Sequence, residues 1–169
     1  FEEHRGAVLS TTIDKYIYIT CRYLPPFFEH NSRIVWSLIE NVKDISEIKH
    51  PSVRACLEFL RIDRGVEIHY DADLPARTGL GSSSAFTVGL LNSLFALKGK
   101  FVSKEELAST AIHIEQDILK ENVGCQDQVS AAYGGFNRIE FLKHRQFIVT
   151  PLILKKEKLE LLNKSLMLF

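Results

Sequence analysis

The apolar and polar positions of this 169-residue chain change period along its length. Residues 7–23, AVLSTTIDKYIYITCRY, are dense in Ile, Tyr, Thr and Val, which suit a pleated, half-buried surface, and read as β structure. A further short strand is expected over Arg33–Ser37. From 51 to 62 the period lengthens. Val53, Cys56, Leu57 and Leu60 recur at helical spacing, and Pro51 suits a first helical turn, where its missing N–H costs nothing. Residues 66–73 alternate, with Val66, Ile68 and Tyr70 on one face and Glu67, His69 and Asp71 on the other, predicting a half-buried strand. Residues 82–98, SSSAFTVGLLNSLFALK, are apolar nearly all round and predict a buried helix. Ser103 with Glu106 three residues later is a capping box, opening a helix expected to reach about Glu121. A break near Gly124 precedes a short helical segment ending at Tyr133, and GGFNRIEF and RQFIVTPLIL read as a hairpin or adjacent strands. This mixed order predicts an α+β fold, helices packed on a mainly antiparallel sheet.

Charge narrows the partners. Lys and Arg number 21, as do Asp and Glu, giving a formal net charge of zero with no basic run. Neither nucleic acid nor a membrane is an expected partner, and an RNA-binding module on this scaffold is disfavoured for the same reason. Cys21, Cys56 and Cys125 are odd in number and far apart, which argues against a disulfide framework or a zinc pair and fits a reducing, cytoplasmic setting. The sequence opens on Phe1 without Met and closes on an apolar run, Leu166 to Phe169, that reads as the start of a buried strand; a piece of a longer polypeptide is expected.

The chemistry concentrates in PARTGLGSSSA, residues 75–85, between the alternating strand and the buried helix. A helix N-terminus offers unpaired N–H groups and the positive end of a dipole. Gly79 and Gly81 let backbone approach a ligand closely and permit positive φ. Ser82, Ser83 and Ser84 add hydroxyls suited to phosphate oxygens or magnesium. The stretch is either a backbone cradle for phosphate or a serine-capped helix with a glycine hinge. It is not a Walker sequence, since no Gly-Lys-Ser/Thr follows. Arg77 is either a phosphate or substrate contact or a solvated loop residue.

Two carboxylates downstream pose a similar choice. Glu115 follows Ala111 by four and Ile112 by three and precedes Leu119 by four, so it lies within an apolar helical stripe. There it is either paired or cation-bound, or a boundary residue whose head reaches water. Asp127, in Gly124-Cys125-Gln126-Asp127, is either a functional carboxylate or the N-cap of the short helix.

PARTGLGSSSA resembles the central motif of the GHMP kinases, Pro-x-x-x-Gly-Leu-Gly-Ser-Ser followed by small residues; Pro75, Gly79, Leu80, Gly81, Ser82, Ser83 and Ala85 fit it, and Ser84 is a small-residue variant. In galactokinase-like members a helix glutamate helps bind magnesium, and an aspartate in a downstream Gly-x-x-Asp faces the acceptor. Asp127 follows Glu115 by twelve residues, a similar spacing. The resemblance implies ATP and Mg2+ as cofactors, with Pro75, Arg77 and Gly79 to Ser84 around the ATP phosphates. It further implies Ser83 and Glu115 as magnesium ligands, Asp127 as the catalytic carboxylate, and Gly124, Gln126 and Asp127 on the substrate side; Asp14 is either a further sugar contact or the site of a strand bend, since alternation around it is imperfect. RGAVLSTTIDKYIYIT and GCQDQVSAAYGGFNRIEF are similar to segments of bacterial D-glycero-D-manno-heptose 7-phosphate kinases. This implies transfer of the ATP γ-phosphoryl group to the anomeric hydroxyl of that sugar phosphate. A fucokinase- or galactokinase-like activity, or a non-catalytic nucleotide-binding domain, shares the scaffold. The implied fold is the GHMP N-terminal domain, a ribosomal-protein-like two-layer sandwich with the C-terminal domain largely missing. Residues 1–150 are expected to form that domain, without its first motif, and 151–169 to begin the connection onward. The implied partner is a small-molecule sugar or sugar phosphate, with room for a homodimer.

Overall fold

The β-rich stretch near the start of the chain forms two strands. In the computed structural model, which describes residues 5–75 and 78–167, β1 spans Gly6–Thr11 and β2 spans Ile17–Tyr23. Between them the alternation fails at Thr12 to Lys15, and the chain bends at Asp14; the amide of Tyr16 then donates to Asp73 Oδ2 at 2.9 Å. The two strands enter different sheets. Contacts divide the chain into two compact units, one of residues 13–133 and the other of the segments up to Thr12 and from Gly134.

The 13–133 unit holds a four-stranded sheet. After β2 come β3, Ser32–Val35, and β4, Ile39–Val42; then α1, Pro51–Phe59, and β5, Val66–Ala72. The strand order is β2-β5-β3-β4, with β2–β5 and β3–β4 antiparallel and β3–β5 parallel. The expected alternation of β5 is built: Val66 and Ile68 are fully buried, and Tyr70 packs against the same core. On the opposite face Glu67 gathers Arg22, Arg33 and His69, with Arg22 Nε donating at 2.6 Å.

Helices cover the core. α2, Ser82–Leu97, buries Phe86, Val88, Leu90, Leu91, Leu94 and Phe95, so an all-round apolar sequence becomes a helix enclosed on most sides, in contact with β2, α1 and the helices that follow. α3, Lys104–Ile112, starts at Ser103 as expected, its Oγ accepting from the Glu106 amide at 3.0 Å, but the box is only half built: the Glu106 carboxylate turns instead to Lys100, whose Nζ donates to its Oε1 at 2.7 Å. The helix expected to reach Glu121 changes character first: His113–Ile118 is a π-helical segment, and α4, Gln126–Tyr133, follows. In the other unit β6, Phe136–Phe141, and β7, Phe147–Pro151, form the expected hairpin; β1 pairs antiparallel with β6, and α5, Lys156–Ser165, follows. The sequence reading had no α5, although Lys, Glu and Leu favour helix. The strand expected from Leu166 is not formed: Leu166 and Met167 lie outside any element and are exposed, and the last two residues lie outside the described ones.

Among the described residues no helix is long and apolar enough to cross a membrane. The mixed α/β architecture agrees with the expected α+β class and its mainly antiparallel pairing. One packing constraint is checkable. A Cβ at Gly65 would lie 1.9 Å from the carbonyl oxygen of Asn31. Gly65→Ala is therefore expected to destabilise the protein by about 1–3 kcal/mol, read as a lower denaturation midpoint.

Candidate active site

α2 starts without a side-chain cap. Its N-cap is Gly81, in the left-handed region at φ +70°, and its first backbone bond runs from the Ala85 amide to Gly81 O at 2.9 Å. Gly79, two residues earlier, has φ +76°. A serine-capped helix is therefore not what is built, and the leading amides of α2 keep the anion-binding character of an uncapped helix start.

α4 begins at Gln126, so Asp127 sits inside its first turn and is not its N-cap. The exposed carboxylate of Asp127 lies against the glycine loop: a Cβ on Gly81 would fall 3.0 Å from Asp127 Cγ and 3.1 Å from Oδ2. Glycine at 81 thus serves both a positive φ and a close approach.

Glu115 is the third element. The π-helical segment widens the backbone ladder, with the Leu119 amide bonding Ile114 O and the Glu121 amide bonding Glu115 O, both at 2.9 Å. Glu115 is 1% exposed, which excludes a head group reaching water. Its Oε2 accepts from Ser84 Oγ at 2.9 Å and, in a very short hydrogen bond, from Gln128 Nε2. Its Oε1 is buried with no partner, and among the described residues no basic side chain pairs with it. The serine bonded to Glu115 is Ser84, which is buried; Ser83 is exposed.

A pocket of about 640 Å³ joins the start of α2 to the start of α4; Glu115 lies behind it, reached through Ser84, which lines it. Gly81 to Ser84 contribute to it along with Gly124, Gln126 and Asp127, while Trp36, His50, Tyr70 and Phe86 form an aromatic wall. His50 meets Trp36 edge-on at 4.8 Å, and Tyr70 meets Phe86 edge-on at 5.0 Å. Trp36 is anchored by its Nε1 donating to Glu40 Oε1 at 2.9 Å, and the Lys49 amide holds the other oxygen at 2.6 Å. His50 Nδ1 is buried without a partner. Burial lowers the His50 pKa below its ordinary 6.5, against a smaller opposing pull from Glu40, and so favours neutral imidazole.

Other expected residues lie apart. Leu80 lines a second pocket of about 360 Å³ with Thr78, Lys15, Tyr16 and the apolar flank of α2. Asp14, exposed in the bend before β2, neighbours the Tyr16 hydroxyl and does not line the pocket of Asp127. Pro75 is exposed at the head of the loop and Gly79 within it, neither lining that pocket, and Arg77 lies outside the described residues. Sequence reasoning missed the aromatic wall and Gln128. The usable signals were the chain's one Trp and a Gln one step from Asp127 among the buried positions of a short helix.

Comparison with known proteins gives a consistent result. Residues 47–135 match the model of the GHMP kinases N terminal domain. A D-glycero-alpha-D-manno-heptose 7-phosphate kinase of Campylobacter jejuni is 29% identical over 163 residues, covering 91% of this chain and 48% of the relative. A mevalonate kinase of Methanothermobacter thermautotrophicus is 31% identical over 93 residues, covering 54% of this chain and 30% of the relative. The crystal structure of a D-glycero-D-manno-heptose 1-phosphate kinase from Bacteriodes thetaiotaomicron superposes with TM-score 0.84 at 26% identity, over 94% of this chain and 55% of that one. The chain thus spans about half the length of these heptose kinase relatives.

Two outcomes follow from the geometry. Gly81→Ala carries both the left-handed penalty, about 1–2 kcal/mol, and the contact with Asp127, whereas Gly79→Ala carries only the penalty, because among the described residues beyond its chain neighbours no atom lies within 4 Å of its Cβ. Gly81→Ala should lower the melting temperature more than Gly79→Ala. For His50 the folded pKa is the lower one, so its contribution to stability is fully present above the unfolded value of about 6.5 and is lost as pH falls through the folded value. Unfolding free energy should decline below about pH 6.5, and His50→Gln should flatten that decline in denaturant titrations.

Proposed function

Because this chain belongs to the GHMP kinases, we propose that it carries the nucleotide-binding and catalytic carboxylate portion of an ATP-dependent sugar kinase, acting on the anomeric hydroxyl of D-glycero-D-manno-heptose 7-phosphate. The observation that carries the reading is the contact between the two working parts: the Asp127 carboxylate lies against Gly81, at the uncapped start of α2. A phosphate cradle and a proton acceptor in contact are what phosphoryl transfer to a hydroxyl requires. The similarity to a heptose 7-phosphate kinase over 91% of this chain supports the choice of acceptor.

The loop amides from Gly79 to Ser84 hold the triphosphate at the N-terminus of α2, where dipole and N–H groups favour anions. The wall of Trp36, His50, Tyr70 and Phe86 offers the base flat apolar surface in the same pocket. The residues fit Mg2+: Glu115 Oε1 is a buried carboxylate oxygen with no donor and no counter-charge among the described residues. Glu115 would hold the ion, with Ser83 the hydroxyl ligand suggested by the motif. When bound, the ion neutralises charge on the transferring phosphoryl group.

Asp127 orients the acceptor hydroxyl and takes its proton. The hydroxyl oxygen bonds to the terminal phosphorus of ATP as the bond from that phosphorus to the bridging oxygen breaks, and ADP leaves. General bases typically contribute about 10²–10⁴-fold. In the full-length enzyme, Asp127→Asn is expected to lower kcat by at least about 10²-fold with nucleotide affinity little changed. An ATP-consumption panel with heptose 7-phosphate, fucose, galactose, mannose and mevalonate tests the substrate class, and absence of turnover with every sugar would sink the assignment.

A further inference from the structure

Gln128 lies outside the phosphate cradle, yet nothing else in the site is so enclosed. It is 0% exposed, sits next to Asp127 on α4, and spends its amide N–H on Glu115 Oε2. The orientation of that amide is dictated by charge. Turned over, it would set a carbonyl oxygen against a carboxylate oxygen, two acceptors facing each other. In the orientation found, Gln128 Oε1 is buried without a partner, as is Glu115 Oε1. One hydrogen-bonded pair therefore contains two buried acceptors that no donor among the described residues satisfies. Buried polar groups are otherwise nearly always paired, and such exceptions mark places where something outside the protein completes the set.

The two oxygens of Glu115 are treated differently. Oε2 takes both donors, from Ser84 on α2 and from Gln128 on α4, and Oε1 takes none. Two donors from different helices fix the plane and rotation of the carboxylate, where one would leave it free to swivel. We propose that Gln128 is a positioning residue for the divalent cation: its amide, with the Ser84 hydroxyl, commits Glu115 Oε2 to the protein and leaves Oε1 as the metal-binding oxygen. This rests on the proposed metal role of Glu115. A group that orients a metal ligand from behind typically changes metal affinity or activity by about 10–100-fold when removed. A residue that only filled the core would change stability and leave metal affinity alone.

The test uses the full-length protein, Mn2+ as probe and a non-hydrolysable ATP analogue, with metal binding read by water-proton relaxation. Gln128→Met keeps length and approximate volume but removes the donor. Gln128→Asn keeps the amide but shortens its reach, and serves if the first variant does not fold. Either should weaken Mn2+ binding by about 10–100-fold, with affinity for the analogue in EDTA unchanged. Ser84→Ala, which removes the other donor to the same oxygen, should shift Mn2+ affinity in the same direction. Wild-type Mn2+ affinity in a folded Gln128 variant overturns the role of Gln128 and leaves Glu115 as the ligand. An equal loss of metal-free nucleotide affinity also overturns it, because the effect then does not pass through the metal. Failure of the wild-type protein to bind Mn2+ with the analogue overturns both Gln128 and the metal role of Glu115.

Discussion

A carboxylate with no counter-charge among the described residues sits in the core, and the elements around it are arranged to hold it. Glu115 is almost fully buried, and its two hydrogen-bond donors come from the first turns of two other helices, Ser84 from α2 and Gln128 from α4. Removing a charge from water is expensive unless hydrogen bonds or an ion compensate. Here the hydrogen bonds meet one oxygen and leave the other bare. The same bonds tie together the parts of the proposed reaction: Ser84 belongs to the glycine-serine loop, and Gln128 adjoins Asp127. The carboxylate that would hold the cation therefore helps set the positions of the phosphate cradle and the acceptor-side aspartate.

The opposite wall of the pocket depends on a second buried acid. In β4 Ile39 is exposed and Glu40 is buried, the reverse of a simple hydrophobic pattern. Glu40 accepts from the Trp36 indole and from the Lys49 amide. Those bonds hold the aromatic wall in place and fix the chain entering α1, whose N-cap is His50. An apolar wall beside the leading amides of α2 also keeps local dielectric low, which would strengthen their interactions with phosphate.

Some of this was legible in the residues. The N-cap at Ser103, proline at the first turn of α1, the alternating faces of β5 and the pairing of β6 with β7 were all read from patterns a few residues long and all formed. Elsewhere local pattern left the outcome open. The stretch 7–23 is β-prone throughout, and the pairing of β1 with β6 and β2 with β5 sets where the bend divides it. The π-helical segment has helical composition, so its wider ladder cannot be seen in spacing alone. α5 buries none of its residues, so its helical preference rests on Lys, Glu and Leu composition rather than on an apolar stripe facing a core.

By itself the sequence determined the loop-to-helix junction with glycines at 79 and 81, the central kinase motif, and the placing of Glu115 and Asp127 on one helix and at the start of the next. These depend on local backbone requirements and short-range periodicity, which neighbouring residues encode. Only the tertiary structure decided that Ser84 rather than Ser83 bonds Glu115, that Gln128 is its second donor, and that Trp36 and His50 face the glycine-serine loop. Ser84 and Glu115 are 31 residues apart in the chain, and the contact exists because α2 packs among the helices that follow it. Contacts between separate elements follow from how buried faces meet, and no local pattern specifies which of two adjacent serines will point inward.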